Sequence, residues 1–448
     1  MSIRSYPRLR WRYPEWACTA LVFGLLLLHP LINGFPFLFP DFWGYSGACP
    51  DEMRSPVLGC AMRPFTWLGG NWAYAAVQCA ATAFAMVLLW SRVLKRQHTG
   101  ALCAALLASG LGLFSGWVMA DVWTLTGLIG LFVIASGNFH PAAAGLLAFA
   151  CATHFGNFPT FGTAALAMLP FVRERSRYAV RAAACFLGAV VLIVAMNLIG
   201  GQIKFGSGNG FVFIAARVLH DMPEVLELKC RQDPDFPLCR RKDEVFTWSA
   251  GNHQSFTWVG LYNLGLNWPA YNRMCRELVL FSLRDFPRSL YDHAAAAVRN
   301  TWDLLLFPEL SNGFEPFGPD SFVAGDLRIA FPEEVAPYLA SRQASGALER
   351  LLKKLDAPFI AILWLSIAGC LLFTVTGWRR RRDDPLIQMA LFALIALIAN
   401  AFFMSNLSGV FGRYQARIAF LIVFPALALI SRWVPSRLRP AAPPPPAS

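Results

Sequence analysis

The stretch APFIAILWLSIAGCLLFTVTGWRRRR, residues 357–382, decides the fold class. Its apolar part, Ala357 to Trp378, is long enough to cross a bilayer as a helix, which takes about 20 residues. Four consecutive arginines, Arg379 to Arg382, follow directly. Basic residues beside membrane spans gather on the cytoplasmic side. The stretch therefore predicts a membrane-spanning helix whose C-terminal end faces the cytoplasm.

The composition of the whole chain agrees with this interpretation. Of its 448 residues, 56% are hydrophobic and only 15% are charged, a balance that soluble globular proteins rarely reach. The formal net charge is +12. Because the basic residues cluster beside apolar runs, this charge indicates cytoplasmic loops and argues against a nucleic-acid partner.

Ten apolar runs predict ten spans with both termini in the cytoplasm, because this count places every basic cluster on one side. The first run is expected to be a retained signal-anchor. The third to sixth spans are shorter than a straight crossing needs, so we expect either shielding by other helices or displaced boundaries. The predicted spans are 16–39, 71–90, 101–118, 122–136, 142–152, 160–172, 179–200, 357–378, 386–404 and 418–430.

The predicted fold class is therefore an all-α polytopic membrane protein with a mostly helical external domain. A bacterial inner membrane is the expected location, with the external domain in the periplasm. The predicted parts are a membrane module of about seven spans at 1–200 with its first external loop at 40–70, the external domain at 201–356, a membrane module of about three spans at 357–434, and a disordered Pro/Ala-rich tail at 435–448.

Four of the eleven cysteines bracket short loops that this topology places outside. Cys49 and Cys60 form one pair, and Cys230 and Cys239 form the other. In an oxidising compartment each pair could close a disulfide or stay reduced, since spacing does not fix connectivity. Cys275 would be left over.

Four ionisable residues, Asp41, Asp121, His154 and Arg413, fall at the outer ends of predicted spans. Each taken alone is compatible with a solvated helix end. Asp121 is the most informative, because its neighbours in sequence are apolar and it needs a partner from elsewhere. Arg413 and Arg63 are the candidates for that partner.

These residue types suit a transfer reaction. Attack by a hydroxyl or amine on an activated sugar needs a carboxylate as general base, and a phosphate leaving group needs a cation, best a bidentate arginine. Asp51 and Glu52 form a second acidic candidate in the first external loop. Two or three carboxylates could also hold a divalent metal, although the spacing does not require one.

Five short motifs together resemble the GT-C superfamily of integral-membrane glycosyltransferases, which includes the protein O-mannosyltransferases and the aminoarabinose transferase acting on lipid A. The motifs are Pro40-Asp41-Phe42-Trp43-Gly44-Tyr45, Arg63-Pro64, the lone Asp121, the stretch from His154 to Pro159, and Arg413-Tyr414.

The resemblance implies transfer of a sugar from a polyprenyl-phosphate donor to a lipid, glycan or protein acceptor at the outer leaflet. It implies Asp41 as catalytic base or site acid and Asp121 as a second acid. The remaining motif residues would bind substrate, with Arg413 as the phosphate contact: Tyr45, Arg63, His154, Arg413 and Tyr414.

Two other classes of function compete with this one. A transporter or flippase of lipid-linked material is the first, although no inverted repeat and no charged residue in mid-span is visible, and His29 within the first span is weak evidence for transport. The second is a non-catalytic envelope assembly protein that presents residues 201–356. An enzyme needs Asp41 and Asp121 near each other, whereas an assembly protein should tolerate their loss.

Overall fold

A computed structural model describes residues 13–47, 54–199, 210–251, 253–284 and 289–432 of the chain. These residues form α-helices joined by short 3-10 and π-helical turns. They contain no β-strand, only an isolated bridge between Phe37 and Trp117. The predicted all-α class is confirmed.

Twenty α-helices follow one another along the described chain. The first eight are α1 (Tyr13–Asn33), α2 (Pro56–Leu88), α3 (Thr99–Ala108), α4 (Leu111–Ser115), α5 (Asp121–Ala135), α6 (Pro141–Thr153), α7 (Asn157–Met168) and α8 (Arg175–Ile199). The next eight are α9 (Gly210–Asp221), α10 (Glu224–Gln232), α11 (Lys242–Gly251), α12 (His253–Leu264), α13 (Trp268–Arg284), α14 (Ser289–Leu306), α15 (Phe322–Ala330) and α16 (Val335–Leu339). The last four are α17 (Ala347–Thr376), α18 (Pro385–Leu407), α19 (Arg413–Ala416) and α20 (Phe420–Ser431).

Five described helices are long and apolar enough to cross a membrane, which makes the chain membrane-associated. They are Glu15–Asn33, Pro56–Val93, Arg175–Ile199, Ala347–Thr376 and Pro385–Leu407. The other predicted spans correspond to shorter helices, and the third is interrupted between α3 and α4 at Gly110, whose φ is +64°. Every residue of α5 is buried. Because other helices surround it, α5 does not have to match the thickness of the bilayer.

The turns predicted to be cytoplasmic gather at one end of the helices, which we call the basic end. Arg181 lies over the ring of Phe139 at 4.5 Å, joining the start of α8 to the turn before α6. Their meeting at one end is the arrangement that the basic clusters predicted; which compartment this end faces stays a prediction. Three ion pairs join other segments there: Arg96–Glu15, Arg173–Asp383 and Arg432–Asp384.

The opposite end, which we call the site end, holds the loop after α1. The backbone of Phe37 pairs with the chain at 116–118 through two hydrogen bonds of 3.1 and 3.0 Å. The side chain of Gln343 accepts from Leu38 N at 3.0 Å and donates to Leu38 O at 2.6 Å. These contacts from distant parts of the sequence fix the approach to Asp41.

Helix α2 differs from the predicted span 71–90, because it begins at Pro56 inside the predicted external loop. Its path breaks at Gly69 and Gly70, and Gly70 has a φ of +57°. The carboxylate of Glu334 accepts from Asn71 N at 2.9 Å and Asn71 Nδ2 at 2.6 Å. It therefore caps the second half of the helix, where a carboxylate also suits the helix dipole.

Residues 201–356 do not share one core in the described structure. Helices α9 to α13, with a buried cluster that includes Val225, Tyr271 and Leu278, form a core of their own. Helix α14 packs on α18 through Leu304, and the chain from Leu310 to Tyr338 packs into the core of the membrane module. The part with a separate core is thus 210–284, and α17 already begins at Ala347.

The structure decides one of the two cysteine pairs that the sequence left open. Cys230 and Cys239 are bonded, with a Cα–Cα distance of 5.4 Å. Cys275 is free, as expected of the cysteine left over, and it is buried. Cys49 lies outside the described residues, so the predicted Cys49–Cys60 pairing is not described.

Candidate functional site

A cavity of about 440 Å³ lies at the site end and is lined by two kinds of surface. Its charged wall comes from the loop after α1, the start of α2, the α6–α7 turn and the segment after α18. Its apolar wall comes largely from α9 and the end of α18. The charged wall consists of Asp41, Tyr45, Arg54, Ser55, His154, Ser408 and Tyr414. The apolar wall consists of Phe155, Phe211, Phe213, Ile214, Met404 and Leu407.

Asp41 stands in the 3-10 turn Pro40–Phe42 and forms an ion pair with Arg54. Both side chains remain partly accessible, with exposed fractions of 28% and 15%. The guanidinium of Arg54 also lies over the ring of Tyr45, at 5.6 Å from its centroid. The predicted carboxylate is therefore at the cavity with a cation already bound to it.

His154 follows the last residue of α6 and faces the same cavity. Its Nδ1 accepts a hydrogen bond from Gly156 N at 3.1 Å, which leaves the ring proton of the neutral form on Nε2. Burial, followed by the charge of Arg417, lowers the pKa of His154 to about 4. At neutral pH this side chain is an uncharged hydrogen-bonding group.

Asp121 is the first residue of α5 and is buried, with Arg417 as its partner at 3.0 Å. The prediction that Arg413 or Arg63 would pair with it is wrong. Arg417 lies one helical turn after Arg413, so its guanidinium points deeper into the helices. The exposed fractions of the two side chains are 1% for Arg417 and 4% for Asp121. Asp121 does not line the cavity, although its charge acts on His154.

Arg413 is buried behind the cavity rather than in its wall, with an exposed fraction of 3%. Its guanidinium lies 4.2 Å from the ring of Phe39, 4.7 Å from Phe411, 5.3 Å from Tyr414 and 5.9 Å from Trp117. Its Nε has no hydrogen-bond partner in the described chain. Arg413 therefore contributes positive charge from an aromatic cage.

The charges around this site balance among the described residues. Glu315, from the turn after α14, lies near enough to act electrostatically on Arg413, as do Asp41 and Asp121. One Glu315 oxygen accepts from Gly313 N at 3.1 Å, while the other has no described partner. The three carboxylates Asp41, Asp121 and Glu315 thus face the three guanidiniums Arg54, Arg413 and Arg417.

Hydrogen bonds from α18 to Tyr414 and Gln415 hold Tyr414 at the cavity. Asn400 donates to Tyr414 O at 2.7 Å and to the side chain of Gln415 at 2.8 Å. Gln415 in turn donates to Leu397 O at 3.0 Å. The Tyr414 hydroxyl lies 2.8 Å from Ser408 Oγ, so the predicted substrate-binding tyrosine is fixed at both ends.

Arg63 does not lie at the cavity. It stands in the second turn of α2 and lies over the ring of Trp67 at 5.3 Å. Because the helix begins at Pro56, the chain between Arg54 and Arg63 coils away from the cavity instead of returning to it. The other acidic candidates, Asp51 and Glu52, lie outside the described residues.

The sequence analysis did not single out Arg54, Arg417 and Glu315. A signal existed for Arg417, since it directly precedes the predicted span 418–430 at its outer end, where basic residues are not expected and an ionisable residue tends to face the protein interior. Arg54 and Glu315 carry no comparable signal. They stand in polar turns, and only the packing of those turns brings them to Asp41 and Arg413.

Among the residues that the structure describes, no group of three or more His, Cys, Asp or Glu side chains is placed to hold a metal ion. Asp41 and Asp121 each form an ion pair with an arginine. No protein-family model, curated protein or solved structure matches this chain. The site must therefore be interpreted from its own geometry.

Proposed function

We propose that this protein is a membrane glycosyltransferase that moves a sugar from a polyprenyl-phosphate donor to an acceptor at the outer leaflet. In this proposal the basic end faces the cytoplasm and the site end faces the periplasm of a bacterial inner membrane. The observation that carries it is the Asp41–Arg54 pair at the wall of a cavity, backed by the buried charges of Arg413 and Arg417. A general base and a phosphate contact are thus adjacent.

The reaction follows from the two groups of this pair. Asp41 accepts the proton of the acceptor hydroxyl or amine, whose freed electron pair attacks the anomeric carbon of the donor sugar. The bond between that carbon and the phosphate oxygen breaks, and polyprenyl phosphate leaves with the electron pair. Arg54 is placed to hold the leaving phosphate, because a guanidinium binds phosphate oxygens in a bidentate manner.

The arrival of the donor would also change the state of Asp41. In the free protein Arg54 neutralises this carboxylate. A donor phosphate competes for the same guanidinium, and this exchange releases Asp41 to act as a base. Arg413, which forms no ion pair within 4 Å among the described residues, favours the incoming anion through a poorly screened interior, whereas Asp121 neutralises Arg417. The phosphate-binding role that the resemblance gave to Arg413 thereby passes to Arg54.

A second cavity of about 430 Å³ suits the chain of such a donor. It runs between α1, α3 and α17, and its wall is mostly apolar, with leucines such as Leu107, Leu351 and Leu355. The polar lining residues are His29, Asn33 and Arg342. Phe37 lines this groove and Asp41 lines the first cavity. Four residues of chain span at most about 14 Å, so a carrier lying in the groove could present its phosphate near Arg54.

The first test replaces Asp41 with asparagine in the native host, with a deletion strain and the wild type for comparison. Lipid-linked intermediates and surface glycans are extracted and analysed by mass spectrometry. We expect D41N to reproduce the glycan change of the deletion and to accumulate the lipid-linked donor, because the acceptor is no longer deprotonated.

Asp320→Asn is the matched control, since Asp320 is exposed and does not line the cavity. Protein level is followed by immunoblot, so that a folding defect is not read as lost activity. If the deletion alters glycans while D41N behaves like D320N, the proposal is wrong, and the transport or assembly function becomes the better explanation.

A further inference from the structure

The apolar wall of the first cavity has no role in the chemistry proposed above. Sugar and phosphate groups bind to charged and hydroxyl-bearing side chains, and the charged wall supplies those. The same cavity is also lined by Phe211, Phe213 and Ile214 of α9. An acceptor with an apolar portion would bury that portion against these three side chains.

Two of the lining residues are not needed by any core. Phe213 and Leu407 belong to none of the three hydrophobic clusters of the described chain, neither as buried members nor as partly buried neighbours. Phe213 is only half-buried, and Leu407 is 40% exposed. The neighbours of Phe213 on α9, Val212 and Ala215, do pack into the core of 210–284. The face of α9 that carries Phe213 is therefore directed at the cavity.

The apolar wall also joins the membrane to the cavity. Met404 and Leu407 line the cavity and are part of α18, one of the five helices able to span a membrane. Leu407 is the last residue of that helix, so the cavity lies at the level where the span ends. A molecule anchored in the bilayer could reach the charged wall without leaving the membrane surface.

We infer that the acceptor is an amphiphilic membrane lipid, whose apolar portion contacts Phe213 and Leu407 while its polar head meets Asp41. This inference rests on the proposed transferase function and adds the chemical class of the acceptor. Removing apolar surface from water stabilises such a complex by about 25 cal/mol per Å². A soluble sugar would bury less apolar surface against that wall than a lipid, and a polypeptide acceptor is the alternative that the experiment must exclude.

The experiment uses the full-length protein in its native host. Strains carry the deletion, the wild type, D41N, Phe213→Ser, or Phe65→Ser as a matched control, since Phe65 is 39% exposed and away from the cavity. Cells are divided into organic-solvent-extractable lipid, delipidated protein and water-soluble glycan. Each fraction is analysed by mass spectrometry for the sugar that the deletion strain lacks.

We expect the missing sugar to be confined to the lipid fraction. F213S should lower the modified lipid about tenfold at unchanged protein level, because the apolar contact of one phenylalanine is lost. F65S should match the wild type.

Three outcomes overturn the inference. In the first, the deletion strain lacks the sugar in its protein fraction, and in the second it lacks the sugar in its soluble glycan. In the third, the F213S strain modifies the lipid as much as the wild type does. If D41N also behaves as the wild type, the proposed function itself has failed. If D41N copies the deletion but the missing sugar belongs to protein, only the acceptor class is wrong. A folding defect in F213S would show as reduced protein, and the fraction that loses the sugar in the deletion strain would still decide the acceptor class.

Discussion

Two aspartate–arginine pairs lie at the site end of the helices, and they differ in accessibility. Asp121 and Arg417 are almost completely buried, at 4% and 1% exposure. Asp41 and Arg54 line a cavity and keep 28% and 15%. Both pairs bring together residues from separate parts of the chain. The Asp121–Arg417 pair can only hold the helices together and contribute to the local electrostatic field. A ligand in the cavity can reach the Asp41–Arg54 pair and break it.

The resemblance predicts catalytic roles for both Asp41 and Asp121, and the difference in accessibility separates the two residues. Asp121 does not line the cavity. Under the proposed function, an acid that does not reach the cavity cannot take a proton from an acceptor, so we expect Asp121 to act on stability and Asp41 on transfer.

Asp121→Asn should lower the free energy of unfolding by about 3–5 kcal/mol, because it leaves the buried charge of Arg417 without a partner. Thermal unfolding of the purified protein in detergent measures the change. The double variant D121N/Arg417→Met should unfold at a higher temperature than D121N, since it removes the unpaired charge as well. An unfolding temperature of D121N equal to that of the wild type would show that this pair contributes nothing.

Arg54→Gln should leave the unfolding temperature nearly unchanged, since partly exposed ion pairs contribute about 0–1 kcal/mol. Transfer should fall about a hundredfold, as expected when a donor to a developing phosphate charge is removed. The measurement is the amount of modified acceptor in the native host. Arg63→Gln is the control and should retain transfer within about twofold. Equal loss in both variants would contradict the placement of Arg63 away from the site.

His154 gives the smallest effect, and it depends on pH. Its folded-state pKa of about 4 lies below the ordinary value of 6.5. Between these values the unfolded chain binds more protons than the folded one, so stability rises with pH there and is lost as pH falls toward 4. His154→Asn keeps an acceptor for Gly156 N without titrating. We expect a shallower fall in unfolding temperature between pH 7 and pH 4, and an unchanged slope would contradict the assigned pKa.

Much of the fold was predictable because its signals are local. An apolar run near 20 residues forms a membrane helix whatever its neighbours are, and the arginines beside such runs indicate the common side. Helix α2 begins at Pro56, with Ser55 as its N-cap, and not at residue 71 as the apolar run predicts. Its break at Gly69 and Gly70 depends on a distant residue, because Glu334, more than two hundred residues later, caps the second half of the helix.

The candidate site was predictable in part. Asp41, Tyr45, His154 and Tyr414 do line one cavity, as expected of groups at the outer ends of spans. Arg63 and Arg413 do not, because a side chain's direction depends on helix phase and packing. Arg413 is one turn away from Arg417, and that single turn decides which arginine meets Asp121.

The sequence by itself determined the class of the protein and the end of the helices at which its polar groups collect. Each residue contributes to hydropathy and to charge asymmetry independently of its neighbours, through its own interaction with water or lipid. These contributions can therefore be summed along the chain. Only the tertiary structure decided which acid each arginine binds, that Asp41 stays accessible while Asp121 does not, and that α9 places Phe213 at the same cavity as Asp41. These outcomes depend on contacts between distant segments, and no local pattern encodes them.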